Sequence, residues 1–233
     1  MMAESVRVNF NLPVPLFPLP EAILLPQSVA PIHVFEPRYR QMVEDTLDRA
    51  GQIAMACFAD DSWQGDYSGT PSLRPVVCLG QIVQHERVSD GYQIVLHGIC
   101  RARIISMVEP KDDVLYRSAT LRPLMDPAPD QVNLDSVRAE MESLLCDTDL
   151  HMLESVTMVL KCMESQEVDT TTLLEIIASA LVRDANTRYA ILAEASVAGR
   201  ADLVREELLR LEHMLLLAMR QRPADGDYNV SVN

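Results

Sequence analysis

The sequence predicts an α+β fold, and two observations carry that reading. Over residues 10–124 the apolar residues come in short runs, punctuated by Pro, Gly and Asp and alternating at period two in places. Residues 133–221 contain no proline, and their apolar positions recur at helical spacing. Between the two lies Pro123-Leu124-Met125-Asp126-Pro127-Ala128-Pro129, a stretch that favours neither helix nor strand. The expected organisation is a β-rich subdomain over 10–124, a helical subdomain over 130–221 and a flexible tail over 222–233.

In the first half, Pro37 suits the first position of a helix, where its missing N–H has no intrahelical partner. Tyr39, Met42, Val43 and Leu47 then share one face through about Ala50. Ile53 to Phe58 reads as a buried strand after a turn at Gly51. Val76 to Val88 reads as a long strand, bent at Gly80, where a missing side chain permits a bulge. Asp90-Gly91 accommodates positive φ and joins it to an antiparallel partner, Tyr92 to His97, which continues to Val108. There Arg101 and Arg103 alternate with Ala102 and Ile104, giving one wet and one dry face. Tyr116 to Leu124 is a further strand.

In the second half, helices are expected at about 133–146, 150–165, 172–183, 185–196 and 202–220. Thr172 with Glu175 three residues on matches a capping box. Asp202, Glu206 and Glu207 near the start of the last helix, and Arg220 near its end, complement the helix dipole.

The charge is uneven. Residues 1–123 carry 14 acidic and 11 basic side chains, residues 124–233 carry 20 and 9, and the whole is −14. Such a field repels phosphate backbones, so nucleic acid and anionic membrane surfaces are poor partners. No apolar run reaches the ~20 residues that a spanning helix needs. Five scattered cysteines without a C-x-x-C pair fit reduced thiols in a cytoplasmic protein. The amino terminus shows no basic segment followed by an apolar one, so no signal peptide is expected.

Motifs for catalysis are missing. The only lysines are Lys111 and Lys161, and neither follows a glycine as a P-loop requires. Gly65-Asp66-Tyr67-Ser68-Gly69 is out of phase with a nucleophile elbow. His85-Glu86 is followed by Arg87, Val88 and Ser89, not by the second histidine of a zinc-protease helix. His33 and His97 lie in or beside strands, where a hydrogen-bonded structural role is the better reading. Asp60-Asp61 and Asp112-Asp113 read as solvated loop charge. No catalytic residue, metal ligand or cofactor is assigned.

Several strings together resemble the Lon protease amino-terminal (substrate-binding) domain family, particularly its short bacterial members that lack the ATPase and peptidase parts. Leu16-Phe17-Pro18-Leu19-Pro20 with Leu25-Pro26 resembles the family's first strand. Pro31 to Val43 (PIHVFEPRYRQMV) resembles its most specific signature. Trp63, Tyr67, Gly69 and Pro71 fit a W-x-x-x-Y-x-G-x-P loop of short members. Gly80 to Gly91 and Leu96 to Ile104 resemble two further family strings. Gln27 stands where the family usually has Gly, and Ala102 where an aromatic is common.

The resemblance implies a β-rich, PUA-like pseudo-barrel packed against a helical bundle, and a non-catalytic module that binds peptides or unfolded proteins. Trp63 and Tyr67, a lone Trp-Tyr loop among polar residues, are the first candidate contacts, or else a lid folded onto the barrel. Arg38 and Tyr39 of the signature are the second, or else a structural helix start in which Arg38 or Arg40 meets a carboxylate. Alternatives are an assembly adaptor that docks a partner through the acidic helical half, an RNA-binding protein opposed by charge, and a cryptic hydrolase opposed by the missing motifs. A homo-oligomer is compatible with any of these.

Overall fold

The computed structural model describes residues 6–60, 71–164 and 168–221. Six strands come first, interrupted by one helix. They are β1 (Val14–Leu19), β2 (Val29–Val34), β3 (Gln52–Cys57), β4 (Val76–Val88), β5 (Gly91–Val108) and β6 (Ser118–Pro123), with α1 (Pro37–Leu47) between β2 and β3. Five helices follow: α2 (Leu134–Cys146), α3 (Glu154–Met163), α4 (Thr170–Leu181), α5 (Ala185–Ala193) and α6 (Val197–Gln221).

The strands close into a ring. β1 pairs with β3 in parallel, and the antiparallel pairs β3–β4, β4–β5, β5–β6 and β6–β1 complete the circuit. β2 stays outside it, paired among the described residues only with the first part of β5, from Val29↔His97 to Val34↔Tyr92. β5 serves three neighbours because its 18 residues span roughly 60 Å at strand rise. A strand of that length must bend, and the β4–β5 register shifts at Leu79/Gly80 and again at Ile82/Gln84. The bend expected at Gly80 is therefore present, and a Cβ there would lie 2.6 Å from the Leu96 side chain.

Alternation sorts the strand side chains into two cores. Leu16, Ala54, Ala56, Val77, Leu79, Ala102, Ala119 and Leu121 fill the ring. Four of these eight are alanines, as the narrow interior of a five-stranded ring requires. Ala102 is fully buried among them, so the aromatic expected at that position has no counterpart here. Phe17, Met55, Cys57, Val76 and Cys78 point outward into a larger core, which runs without a break through Tyr39 and Met42 of α1 to Leu173, Ile191 and Leu208 of the helices.

Four local readings need correction. Arg101 is not on a wet face: it is 8% exposed and points into the helical half, while Arg103 is exposed. Thr172 is not a helix cap; Asp169 is, accepting hydrogen bonds from the Thr172 amide at 2.8 Å and from its hydroxyl at 3.0 Å. This leaves Glu175 free for another partner. The helix expected over 150–165 is split into a 3-10 turn (Asp149–Met152) and α3. The last helix starts at Val197 rather than 202, because its first amide donates to Asp126 Oδ2 at 2.7 Å, a cap supplied from 71 residues away. Asp112, by contrast, sits as expected in an exposed turn closed by Lys111 and Val114.

Candidate functional site

The three-stranded extension β2–β5–β4 has a buried face and an open one. Ala30, Ile32 and Val34 of β2 turn toward the core. Their neighbours Val29, Pro31 and His33 face solvent with Val95 and Gln93 of β5 and Gln84 and Glu86 of β4. Register aligns these into two cross-strand rows, Pro31–Val95–Gln84 and His33–Gln93–Glu86. They line a groove of about 360 Å³. One row is mainly apolar and the other polar, and two residues along a strand separate them by about 7 Å.

The groove borders the free edge of the sheet. Gly98 N donates to Ser28 O at 2.9 Å, and antiparallel alternation then turns the backbone of Val29, Pro31 and His33 away from β5. Pro31 has no N–H to offer, so the edge presents three carbonyls but only two donors, which blunts uncontrolled strand pairing. At the end of β2, Phe35 is 60% exposed, and its ring lies 5.9 Å from that of His33. The turn is tight here: a Cβ on Gly91 would lie 2.0 Å from the Val34 carbonyl oxygen, so only glycine fits.

His33 Nε2 lies 3.1 Å from Asp90 Oδ1. Glu86 is exposed, and no hydrogen bond or ion pair holds it among the described residues. Arg87 projects to the opposite face, its guanidinium 5.9 Å from the Tyr92 ring. Among the described residues the groove is therefore lined by one carboxylate, Glu86, and by no lysine or arginine.

A second cleft, of about 250 Å³, lies where barrel and helices meet. Arg101 of β5 donates from Nη2 to both carboxylate oxygens of Glu175 on α4, each at 2.7 Å, and Arg200 Nε of α6 lies 3.2 Å from the same carboxylate. All three are buried, with Glu175 2% and Arg200 4% exposed. Arg200 also donates from Nη1 to the Glu194 and Ala195 carbonyls. Desolvation, then the neighbouring Arg101 charge, lower the pKa of Arg200. On the other flank Tyr189 of α5 accepts from the Val76 amide at 3.0 Å, with the Arg74 guanidinium 4.5 Å from its ring. These polar clasps fix the helices to the barrel.

Little here suits covalent chemistry. Burial pushes the Cys78 and Cys100 thiols up, so both stay protonated at neutral pH and are poor nucleophiles. No group of three His, Cys, Asp or Glu is placed to hold a metal ion among the described residues, and no described helix is long and apolar enough to cross a membrane.

The model of the ATP-dependent protease La (LON) substrate-binding domain matches residues 13–210. The chain belongs to this family. Over 94 residues it is 33% identical to Lon protease 2 of Sorangium cellulosum (strain So ce56), a stretch covering 40% of this chain and 12% of that protein. The fold resembles the N-terminal domain of a Mycobacterium avium complex Lon protease, with a TM-score of 0.64 and 18% identity, over 85% of this chain and 98% of that one. A Lon N-terminal domain protein from Xanthomonas campestris aligns with a TM-score of 0.51 and 18% identity, covering 91% and 99%. At such identity these structures show the fold alone.

Within this LON domain, Tyr39 is 3% exposed, its ring edge-on to Phe17 at 4.7 Å. Arg38 lies over the Tyr39 ring at 4.6 Å and bonds Glu36 through Nε at 3.1 Å. This pair builds the start of α1. Trp63 and Tyr67 lie outside the described residues. Their described flanks, Asp60 and Pro71, adjoin the start of β4, whereas the groove sits toward its other end, about 25 Å along the strand.

Exposed members of the LON signature include Pro31, His33 and Phe35; the sequence pointed to a structural role for His33 and to none for Phe35, and set Glu86 aside with the incomplete zinc-protease motif. The period-two alternation of PIHVF was the available signal for Phe35. Gln27, where the family usually has Gly, adopts φ 62°, the left-handed conformation that explains a glycine there.

Proposed function

We propose that this chain is a non-catalytic module that holds extended, partly apolar polypeptide segments in the outer groove of β2, β5 and β4. The observation that carries the reading is a sheet face left open beside an edge strand, with an exposed aromatic ring, Phe35, 5.9 Å from the ring of the groove-lining His33. Covering the exposed part of such a ring is worth on the order of 1–2 kcal/mol, enough for an anchor. The family's description as a substrate-binding domain agrees with this reading. Trp63 and Tyr67 are proposed as a second contact, and Arg38 with Tyr39 as the support that begins α1 just after Phe35.

The test is binding of a fluorescently labelled, permanently unfolded polypeptide, followed by anisotropy. Phe35→Ser is expected to weaken binding about tenfold with an unchanged unfolding midpoint, whereas unaltered binding removes the groove from the proposal. Trp63→Ala with Tyr67→Ala tests the second surface in the same way. Neither ATP nor peptide hydrolysis is expected from the purified chain.

A second reading, an adaptor that docks a partner through the helical half, has an observation of its own. Beyond Leu208 no residue of α6 with a described side chain is buried, and Leu209, Met214, Leu217 and Met219 stand exposed. Loss of partner capture on replacing Leu217 and Met214 by Gln, with polypeptide binding intact, favours that reading.

A further inference from the structure

We infer that the groove selects segments in which an apolar side chain is followed or preceded, two residues away, by a lysine or arginine, and that it rejects acidic segments. The inference rests on the proposed polypeptide binding and names the chemistry of what is bound. An extended segment lying along the strands presents every second side chain to the groove, about 7 Å apart. That spacing matches the two rows. A side chain seated on Pro31 and Val95 places the one two residues on over Gln93 and Glu86.

Charge decides what the second position takes. Glu86 projects into solvent without a hydrogen bond or ion pair among the described residues. Asp90 stands at the same end, engaged by His33 at 3.1 Å. The nearest guanidinium in sequence, Arg87, belongs to the other face, 5.9 Å from the ring of Tyr92, whose hydroxyl donates to Glu44 Oε1. A cation arriving over the polar row therefore meets an uncompensated carboxylate, while an acidic side chain is repelled by it and by a chain of net charge −14. The amides of Gln84 and Gln93 accept or donate without preference, which leaves Glu86 to set the sign.

Anisotropy titrations of the full chain with three labelled, proline-free peptides test this. The peptides repeat an apolar-x-Lys, apolar-x-Gln or apolar-x-Glu pattern. At low salt the Lys peptide is expected to bind about fivefold or more tighter than the Glu peptide, as one exposed charge contact allows. The gap should close as ionic strength rises. Glu86→Gln is expected to shrink the difference while leaving the Gln peptide unchanged, and Glu86→Lys to reverse it. Circular dichroism confirms that these surface variants fold. Equal binding of all three peptides, each weakened by Phe35→Ser, overturns the selectivity and leaves the groove as a binding site. A Lys preference untouched by Glu86→Lys overturns the role of Glu86. Binding of none of the peptides overturns both the selectivity and the groove.

Discussion

Arg101 on β5 and Glu175 on α4, 74 residues apart, meet through two hydrogen bonds of 2.7 Å, both side chains buried. Arg200 of α6 completes the group at 3.2 Å. One carboxylate thus holds two guanidiniums, and three elements from different parts of the chain are fixed at a single point. A buried charge group adds little net stability when complete, but it is costly to leave half made. Glu175→Ala is therefore expected to lower the unfolding free energy by about 3–5 kcal/mol, measured by urea denaturation. Replacing Arg101, Glu175 and Arg200 together by Met, Leu and Met should recover most of that loss. A triple variant as unstable as the single one would sink this account.

Gln27 adopts φ 62° and donates its amide to Gly98 O at 2.8 Å, so its backbone is not free to relax. A side chain in the left-handed region costs about 1–2 kcal/mol, partly offset by the greater freedom of glycine in the unfolded chain. Gln27→Gly is expected to stabilise by about 0.5–1 kcal/mol, while Gln27→Ala brings no gain. Thermal unfolding of the two variants checks the difference.

Ala102 lies inside the ring, fully buried beside Leu16, Leu79 and Leu121. Enlarging it to Phe forces these side chains off their rotamers, at an expected cost of about 1–3 kcal/mol. Leu121→Ala in the same chain should return part of the loss by making room. Simple additivity of the two changes in denaturant unfolding would mean that they do not share space.

Tyr116 donates its hydroxyl to Asp45 Oδ2 at 2.9 Å. Burial, followed by that hydrogen bond, pushes its pKa up to about 12, against about 10 in an unfolded chain. Because the folded value is raised, the stabilisation is complete below pH 10 and fades as the pH climbs toward 12. Burial also raises Tyr92 and Tyr189, so tyrosinate absorbance during alkaline titration should show late ionisation, one ring's worth of which is missing from Tyr116→Phe. The variant should also lose part of the alkaline fall in stability.

The two proposed binding surfaces were unevenly legible. The PIHVFEPRYR signature runs beside the proposed groove, yet the sequence drew attention to Arg38 and Tyr39, which the fold uses to seat α1 on Phe17. Phe35 resembles any core aromatic until β2 is known to be an edge strand that ends in a turn. Glu86 looks like ordinary strand polarity until the register with Gln93 and His33 places it in a groove.

Local patterning by itself determined the division into strands and helices, the limits of β4, the bulge at Gly80, the proline-led start of α1 and the likeness to the LON domain. Each depends on residues near one another in the chain, through periodicity, turn chemistry or a contiguous motif. Tertiary structure alone decided that Arg101 faces inward, that Glu175 serves an ion group rather than a cap, and that Asp126 begins α6. It also decided which sheet face stays open. Those outcomes depend on partners up to 74 residues away, and a charged side chain is buried or solvated according to whether the folded chain brings it an opposite charge.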